Sequence, residues 1–299
     1  MERLSRRVFL QASAASGIGL LFGRRAAFPF QTRSVSSSLS GIGICASLSD
    51  AAALKSAGCD FIEEGVRRLL IPDGPQGAFE AKLAELKTIA IPVPACNGFI
   101  PGTLKAVGPE ANHAGIISYA DSALRRAALA GIKTIVWGSG ESRKIPDGFS
   151  RLKAEEQFRE LAARIAPLAA RSDVVLALEP LQSGETNFVN TLREGAVVVE
   201  AVGHPSFRLL ADLYHMARES ETPDSIDRYG ALIRHCHIAE KDKRTPPGTA
   251  GDDFRPFLKA LRRTGYRGLM SLECRWENIA REAPGAIAAF RKQVEESAA

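Results

Sequence analysis

From Gly41 onward, short runs of apolar residues alternate with longer segments in which apolar positions recur at helical spacing. The short runs predict strands over residues 42–45, 61–63, 91–96, 134–137, 174–179, 208–212, 235–239 and 269–273. The 3.6-residue periodicity between them predicts helices, among them 118–130, 154–170, 191–201, 225–233 and 254–263. Ala57-Gly58, Ala130-Gly131 and Thr264-Gly265 mark returns from helix to strand. The strands are continuously apolar rather than alternating, as parallel strands covered by helices are. Eight such repeats predict an α/β chain folded as a single (β/α)8 TIM barrel over residues 38–299. A doubly wound open sheet has less support, because no G-x-G-x-x-G or P-loop follows any of the strands.

Charge divides the chain in two. The formal net charge is +5, and the first 35 residues contain Arg3, Arg6, Arg7, Arg24, Arg25 and Arg33 against Glu2 alone. The remainder is therefore neutral, and a nucleic-acid partner for the body of the chain loses its main support. Ser5-Arg6-Arg7-Val8-Phe9-Leu10-Gln11 resembles the twin-arginine export motif, with Gln where Lys is commonest, and a weakly apolar run over residues 12–23 follows it. That run is short for a membrane span and flanked by charge, so it reads as the core of a signal. Residues 1–37 are expected to be a twin-arginine signal peptide and linker. The implied partner is the twin-arginine translocation machinery, and the implied location is periplasmic or otherwise extracytoplasmic. The five cysteines form no C-x-x-C pair and mostly sit in apolar runs, which reads as buried free thiols. Whether copies associate as a homo-oligomer is left open by the sequence.

The chemistry is concentrated where strands end. In a barrel of this kind, functional groups sit at the C-terminal ends of the strands. Strand five ends in Leu178-Glu179-Pro180, strand six in Ala211-Asp212, strand seven in His235-Cys236-His237 and strand eight in Leu272-Glu273. One such acid is ordinarily a solvated loop residue or a salt-bridge partner. Four metal-capable side chains on four consecutive strands predict a site for one divalent ion. Three carboxylates and an imidazole suit a hard ion, Mn2+ first, with Mg2+ or Co2+ as alternatives. Glu63 at the end of strand two and Asn97 after strand three are expected to line the pocket. The loop Trp137-Gly138-Ser139-Gly140-Glu141-Ser142-Arg143-Lys144 reads either as a small anion or hydroxyl nest or as an ordinary turn.

Glu179 with Glu185 six residues on, Asp212-Leu213-Tyr214-His215, His237-Ile238-Ala239-Glu240 leading to Pro246-Pro247-Gly248, and Ser271-Leu272-Glu273 together resemble the xylose isomerase-like TIM barrels. Within that group the resemblance, from about Gly41 to Phe290, is to the sugar phosphate isomerase/epimerase superfamily, with its ketose 3-epimerases and hydroxypyruvate isomerases. It implies that Glu179, Asp212, His237 and Glu273 ligate the metal and that Glu185, His215 and Arg244 contact a sugar substrate. The stretch after His237 is one residue longer than in ketose 3-epimerases, so Lys243 competes with Arg244 for the last role; Arg244 keeps the spacing to the proline pair.

Moving a proton α to a carbonyl needs a base near the C–H bond and stabilisation of the enediolate oxygens, which a chelated divalent ion supplies. Glu179 and Glu273, from strands five and eight, are expected as the catalytic pair, one removing the proton and the other returning it. The expected activity is that of a sugar isomerase or epimerase on a non-phosphorylated sugar. Three other readings compete: a dehydratase or lyase of inososes or keto-sugars, a zinc endonuclease of the same superfamily, and an exported sugar-binding protein that has lost catalysis. With five histidines in all and a neutral body, the nuclease is disfavoured.

Overall fold

The structure, a computed structural model, describes residues 39–298. The expected leader over residues 1–37 lies outside the described residues. Eight parallel strands close into a barrel in chain order: β1 (Gly41–Cys45), β2 (Phe61–Gly65), β3 (Ala95–Asn97), β4 (Thr134–Trp137), β5 (Val175–Leu178), β6 (Phe207–Asp212), β7 (Ile233–Ile238) and β8 (Leu269–Leu272). β1 pairs with β8, Gly41 opposite Leu269, and this pairing leaves no free edge. Long helices such as His113–Ala130, Arg151–Arg171, Leu192–Val202 and Ile279–Glu296 cover the outside. None of the helices among the described residues is long and apolar enough to cross a membrane.

The expected helix-to-strand returns are present. Gly131 takes φ +77° and its N–H closes the helix on Ala127 and Ala128, a left-handed cap that a side chain would strain. Gly58 and Gly265 have the same backbone sign. Two elements differ from expectation. Strand three was expected over 91–96 but begins at Ala95, because Pro92 and Pro94 have no N–H to add to a ladder; their carbonyls still accept from Ile62 and Lys133. The helix expected over 225–233 ends at Tyr229, and a 3-10 turn over Gly230–Leu232 leads directly into β7.

The main apolar core lies between sheet and helices. It includes an aromatic stack of Trp137 against Phe99, Phe158 and Phe207, with ring centroids 5.1–6.0 Å apart. A second, small apolar cluster of Val136, Ala177 and Leu210 stands apart from it. Among the buried polar residues are Glu63, His235, His237 and Ser271, each at most 1% exposed. Paired register sets Leu210 beside His235 and His237 beside both Asp212 and Ser271.

Candidate metal centre

The consecutive ends of β5 to β8 bring the four expected ligands together. One donor atom from each of Glu179, Asp212, His237 and Glu273 lies within 4.8 Å of all the others. His237 Nδ1 is 3.1 Å from Glu179 Oε1 and 3.2 Å from Glu273 Oε2. Asp212 caps the helix Leu213–Arg218, its Oδ1 accepting from the Tyr214 N–H at 2.8 Å, while Oδ2 faces Arg244 and His215. The donor chemistry of three carboxylates and an imidazole fits a hard divalent ion.

The electrostatics separate the two acids. Burial raises the pKa of Glu179 and the neighbouring Glu273 carboxylate raises it further, against the pull of His237. Burial also works on Glu273, but His237 and Arg244 outweigh it and hold that group down to about 2. Burial opposes the imidazolium of His237, yet Glu63 and Glu273 keep its pKa well above the ordinary value.

Glu179 is held at its backbone by the loop after β4. Its N–H bonds to Trp137 O at 3.2 Å, and its carbonyl accepts from Arg143 Nη2 at 2.7 Å. Arg143 is fully buried and also donates to the carbonyls of Trp137, Gly138, Phe188 and Val189. The reading of this loop as an anion nest is therefore corrected: its guanidinium donors are spent on five main-chain oxygens, and Ser142 Oγ bonds to Leu104 O. Gly138 sits so close to the acid that a Cβ there would lie 2.3 Å from Glu179 Oε2.

The expected substrate contacts are placed as follows. His215 is 2% exposed, and its Nδ1 accepts the Gln182 N–H at 3.1 Å. The ring proton therefore sits on Nε2, which has no hydrogen-bond partner in the protein and stands 3.4 Å from Asp212 Oδ2. Such an unused buried donor is available to a substrate oxygen. Between Lys243 and Arg244, Arg244 turns inward and Lys243 is exposed; both have positive φ, at +53° and +59°. The Arg244 guanidinium bonds to Glu273 Oε2, reaches Asp212 Oδ2 at 3.3 Å and Glu185 Oε1 at 3.7 Å, and lies 4.7 Å over the Tyr214 ring. Glu185 is the most exposed of this group. Asn97, expected to line the pocket, donates from Nδ2 to Glu273 Oε1 at 3.1 Å.

Glu63 departs from expectation. It is 0% exposed and sits behind His237, accepting from His237 Nε2 at 2.9 Å, His235 Nε2 at 2.7 Å and Ser271 Oγ at 2.6 Å. A carboxylate already occupied by three donors does not line an open pocket. Sequence reasoning assigned no role to His235, Ser271 or Glu240. For His235 a signal existed, because residues two apart on a strand share a face, so His235 and His237 point the same way. Glu240 is buried and accepts from Thr245 Oγ1 at 3.0 Å and from the N–H groups of Gly248 at 2.8 Å, Gly251 at 3.0 Å and Ala250, organising the loop that carries Arg244. Cys45 lies beside Glu63 and His237, but burial and the charge of Glu63 keep its thiol protonated well above the usual range.

Comparison with known proteins places the chain among sugar epimerase- and isomerase-like relatives. The L-ribulose 3-epimerase of Methylomonas sp. (strain DH-1) is 34% identical over 133 residues, 44% of this chain and 45% of that protein. The hydroxypyruvate isomerase of Escherichia coli (strain K12) is 26% identical over 155 residues, 51% of this chain and 59% of that protein. The chain thus spans about half the length of the curated relatives it matches. The crystal structure of 3-keto-D-glucoside 4-epimerase from E. coli superposes with a TM-score of 0.71 at 21% identity, covering 84% of this chain and 99% of that one, and shares the fold. The family model described as xylose isomerase-like TIM barrel matches residues 51–293, and the chain belongs to that family.

Proposed function

We propose that the protein is a divalent-metal-dependent sugar isomerase or epimerase that moves a proton on the carbon α to a carbonyl. The observation that carries this reading is the convergence of Glu179, Asp212, His237 and Glu273 at one point, with two of the carboxylates driven apart in acidity. A hard divalent ion held by these four residues, Mn2+ by preference or Mg2+ or Co2+, would draw charge from the substrate's carbonyl oxygen and acidify the neighbouring C–H bond. Glu179 and Glu273 approach from β5 and β8, so one carboxylate takes the proton and the other delivers one from the opposite side. His215 donates from Nε2 to a substrate oxygen, and Arg244 and Glu185 bond to the hydroxyls beyond it. Glu179 is buried and the Glu273 side chain is 26% exposed, so the pair is open to proton exchange with solvent on the Glu273 side.

The relatives named as ketose 3-epimerases and hydroxypyruvate isomerases support this class of reaction. The resemblance of residues 5–11 to a twin-arginine motif supports export to the periplasm or another extracytoplasmic space. Phosphorylated sugars are scarce there, so a free keto-sugar, a polyol-derived ketone or a glycoside is the proposed substrate class. The test is incubation of Mn2+-loaded protein with a panel of such sugars in D2O. Solvent deuterium at one α-carbon, with the hydroxyl count of the product unchanged, is expected. No exchange with any member of the panel would overturn the proposal.

A further inference from the structure

The interior of an eight-stranded barrel is ordinarily filled by branched apolar side chains. Here Glu63 from β2 crosses it to meet His235 and His237 on β7 and Ser271 on β8, strands that are not its neighbours in the sheet. All four side chains are at most 1% exposed. A buried carboxylate costs several kcal/mol of desolvation, and apolar residues of similar volume would fill the space as well or better. Its bonds nevertheless have a definite consequence for one ring.

A carboxylate only accepts, so the Glu63–His237 contact of 2.9 Å requires the proton on His237 Nε2. Nδ1 faces the carboxylates of Glu179 and Glu273, so a metal seated among them would take the place of a proton on that nitrogen and meet its lone pair, while Nε2 keeps its proton toward Glu63. The bond also fixes the rotation of the ring, and the adjacent negative charge makes Nδ1 a stronger donor. Glu63 is held in turn at its other oxygen by His235 and Ser271, so it cannot swing away.

We propose that Glu63 is a positioning residue for the metal centre: from outside the pocket it sets the tautomer, the orientation and the donor strength of His237. The inference rests on the reading of the site as a metal centre. Glu64, the next residue, provides the internal control. It is 2% exposed, and its carboxylate bonds to the N–H groups of Leu48 and Gly65 and to Arg68, with no histidine partner.

The test is Mn2+ titration of the full-length protein, its E63Q and E64Q variants, with proton–nitrogen NMR of the imidazoles in the Mg2+-loaded forms. Glu63→Gln keeps an acceptor but loses the negative charge, and is expected to weaken Mn2+ binding by about 10–100-fold and to shift the Nε2–H signal of His237 upfield as its hydrogen bond weakens. Glu64→Gln is expected to lower stability while leaving Mn2+ affinity and that signal unchanged. If E63Q does not fold, E63D replaces it; an aspartate one methylene shorter cannot span both rings, and the same loss is expected. Wild-type affinity in the folded Glu63 variant, or an equal loss in E64Q, would overturn the positioning role alone. Failure of the wild type to bind Mn2+ would overturn both this inference and the metal centre on which it rests.

Discussion

Replacing Gly138 with alanine probes how tightly Glu179, one of the two proposed proton-transfer carboxylates, is seated. The new Cβ would lie 2.3 Å from Glu179 Oε2, 3.5 Å from its Cδ and 3.6 Å from Leu181 Cδ2. Ordinary contact begins near 3.4 Å, so the carboxylate must retreat by about 1 Å. It has to do so at the side chain, because its backbone is tied to Trp137 O and to Arg143. A displacement of this size at a reacting group costs about 100-fold in rate. Gly138 does not have a positive φ, so alanine fits the backbone, and the main-chain entropy gain of up to about 1 kcal/mol offsets part of the local crowding. Gly138→Ala is therefore expected to keep its melting temperature within about 4 °C of wild type. Its kcat should fall by about two orders of magnitude, and its Mn2+ affinity should also decrease. The assays are thermal denaturation, metal titration and solvent-deuterium exchange on the substrate identified as above. Wild-type exchange rate and metal affinity in a folded G138A protein would refute the argument that Glu179 is held in place from behind.

Other perturbations separate stability from chemistry. Arg143→Met removes the donor from five carbonyls, and each one left unsatisfied costs about 1–3 kcal/mol, so urea denaturation should show a loss of at least about 3 kcal/mol; a loss under about 1 kcal/mol would contradict the role given to it. Glu240→Ala frees the N–H groups of Gly248, Ala250 and Gly251, and should raise KM roughly tenfold with little change in kcat, together with faster amide exchange at those glycines. Unchanged exchange there would show that the loop is ordered by other contacts. Chelation of the metal should abolish turnover. Relative to Mn2+ at about 100 times its Kd, it should also lower stability by about 2.7 kcal/mol, seen as a drop in melting temperature; an identical melting curve with and without metal would contradict binding at this site.

Legibility from sequence followed the physics of each residue. Strand ends are legible because parallel strands are continuously apolar and their carboxyl ends mark the functional rim, so the sequence alone places Glu179, Asp212, His237 and Glu273 there. The start of β3 was misplaced because apolar Pro92 and Pro94 look like strand by hydropathy but lack the N–H a ladder uses. Glu63 and Arg143 were harder for another reason. Position after a strand says which rim a residue is near, and not whether its charge meets solvent, a substrate or buried main chain. Only tertiary packing shows that Arg143 is spent on carbonyls and Glu63 on two imidazoles. Between Lys243 and Arg244, spacing to Pro246-Pro247 favoured Arg244, which is the residue that turns inward.

All four candidate ligands come from β5 to β8, while β1 to β4 supply supporting contacts such as Asn97 and Glu63. The segments after β3 and β4 are joined to each other by Ile100 N–H to Ser139 Oγ at 2.9 Å, Ala106 N–H to Ser142 O at 2.7 Å and Lys105 Nζ to Glu141 O at 3.0 Å. The candidate ligands thus sit on one half of the barrel, and on the other half the segments after β3 and β4 are tied to each other. For protein engineering, residues 98–112 and 138–144 form one exchangeable cassette. The proposed sugar contacts Glu185, His215 and Arg244 lie outside that cassette, so grafting it between family members as a unit, with Gly138, Arg143 and Asn97 retained, is expected to leave them and the candidate ligands in place.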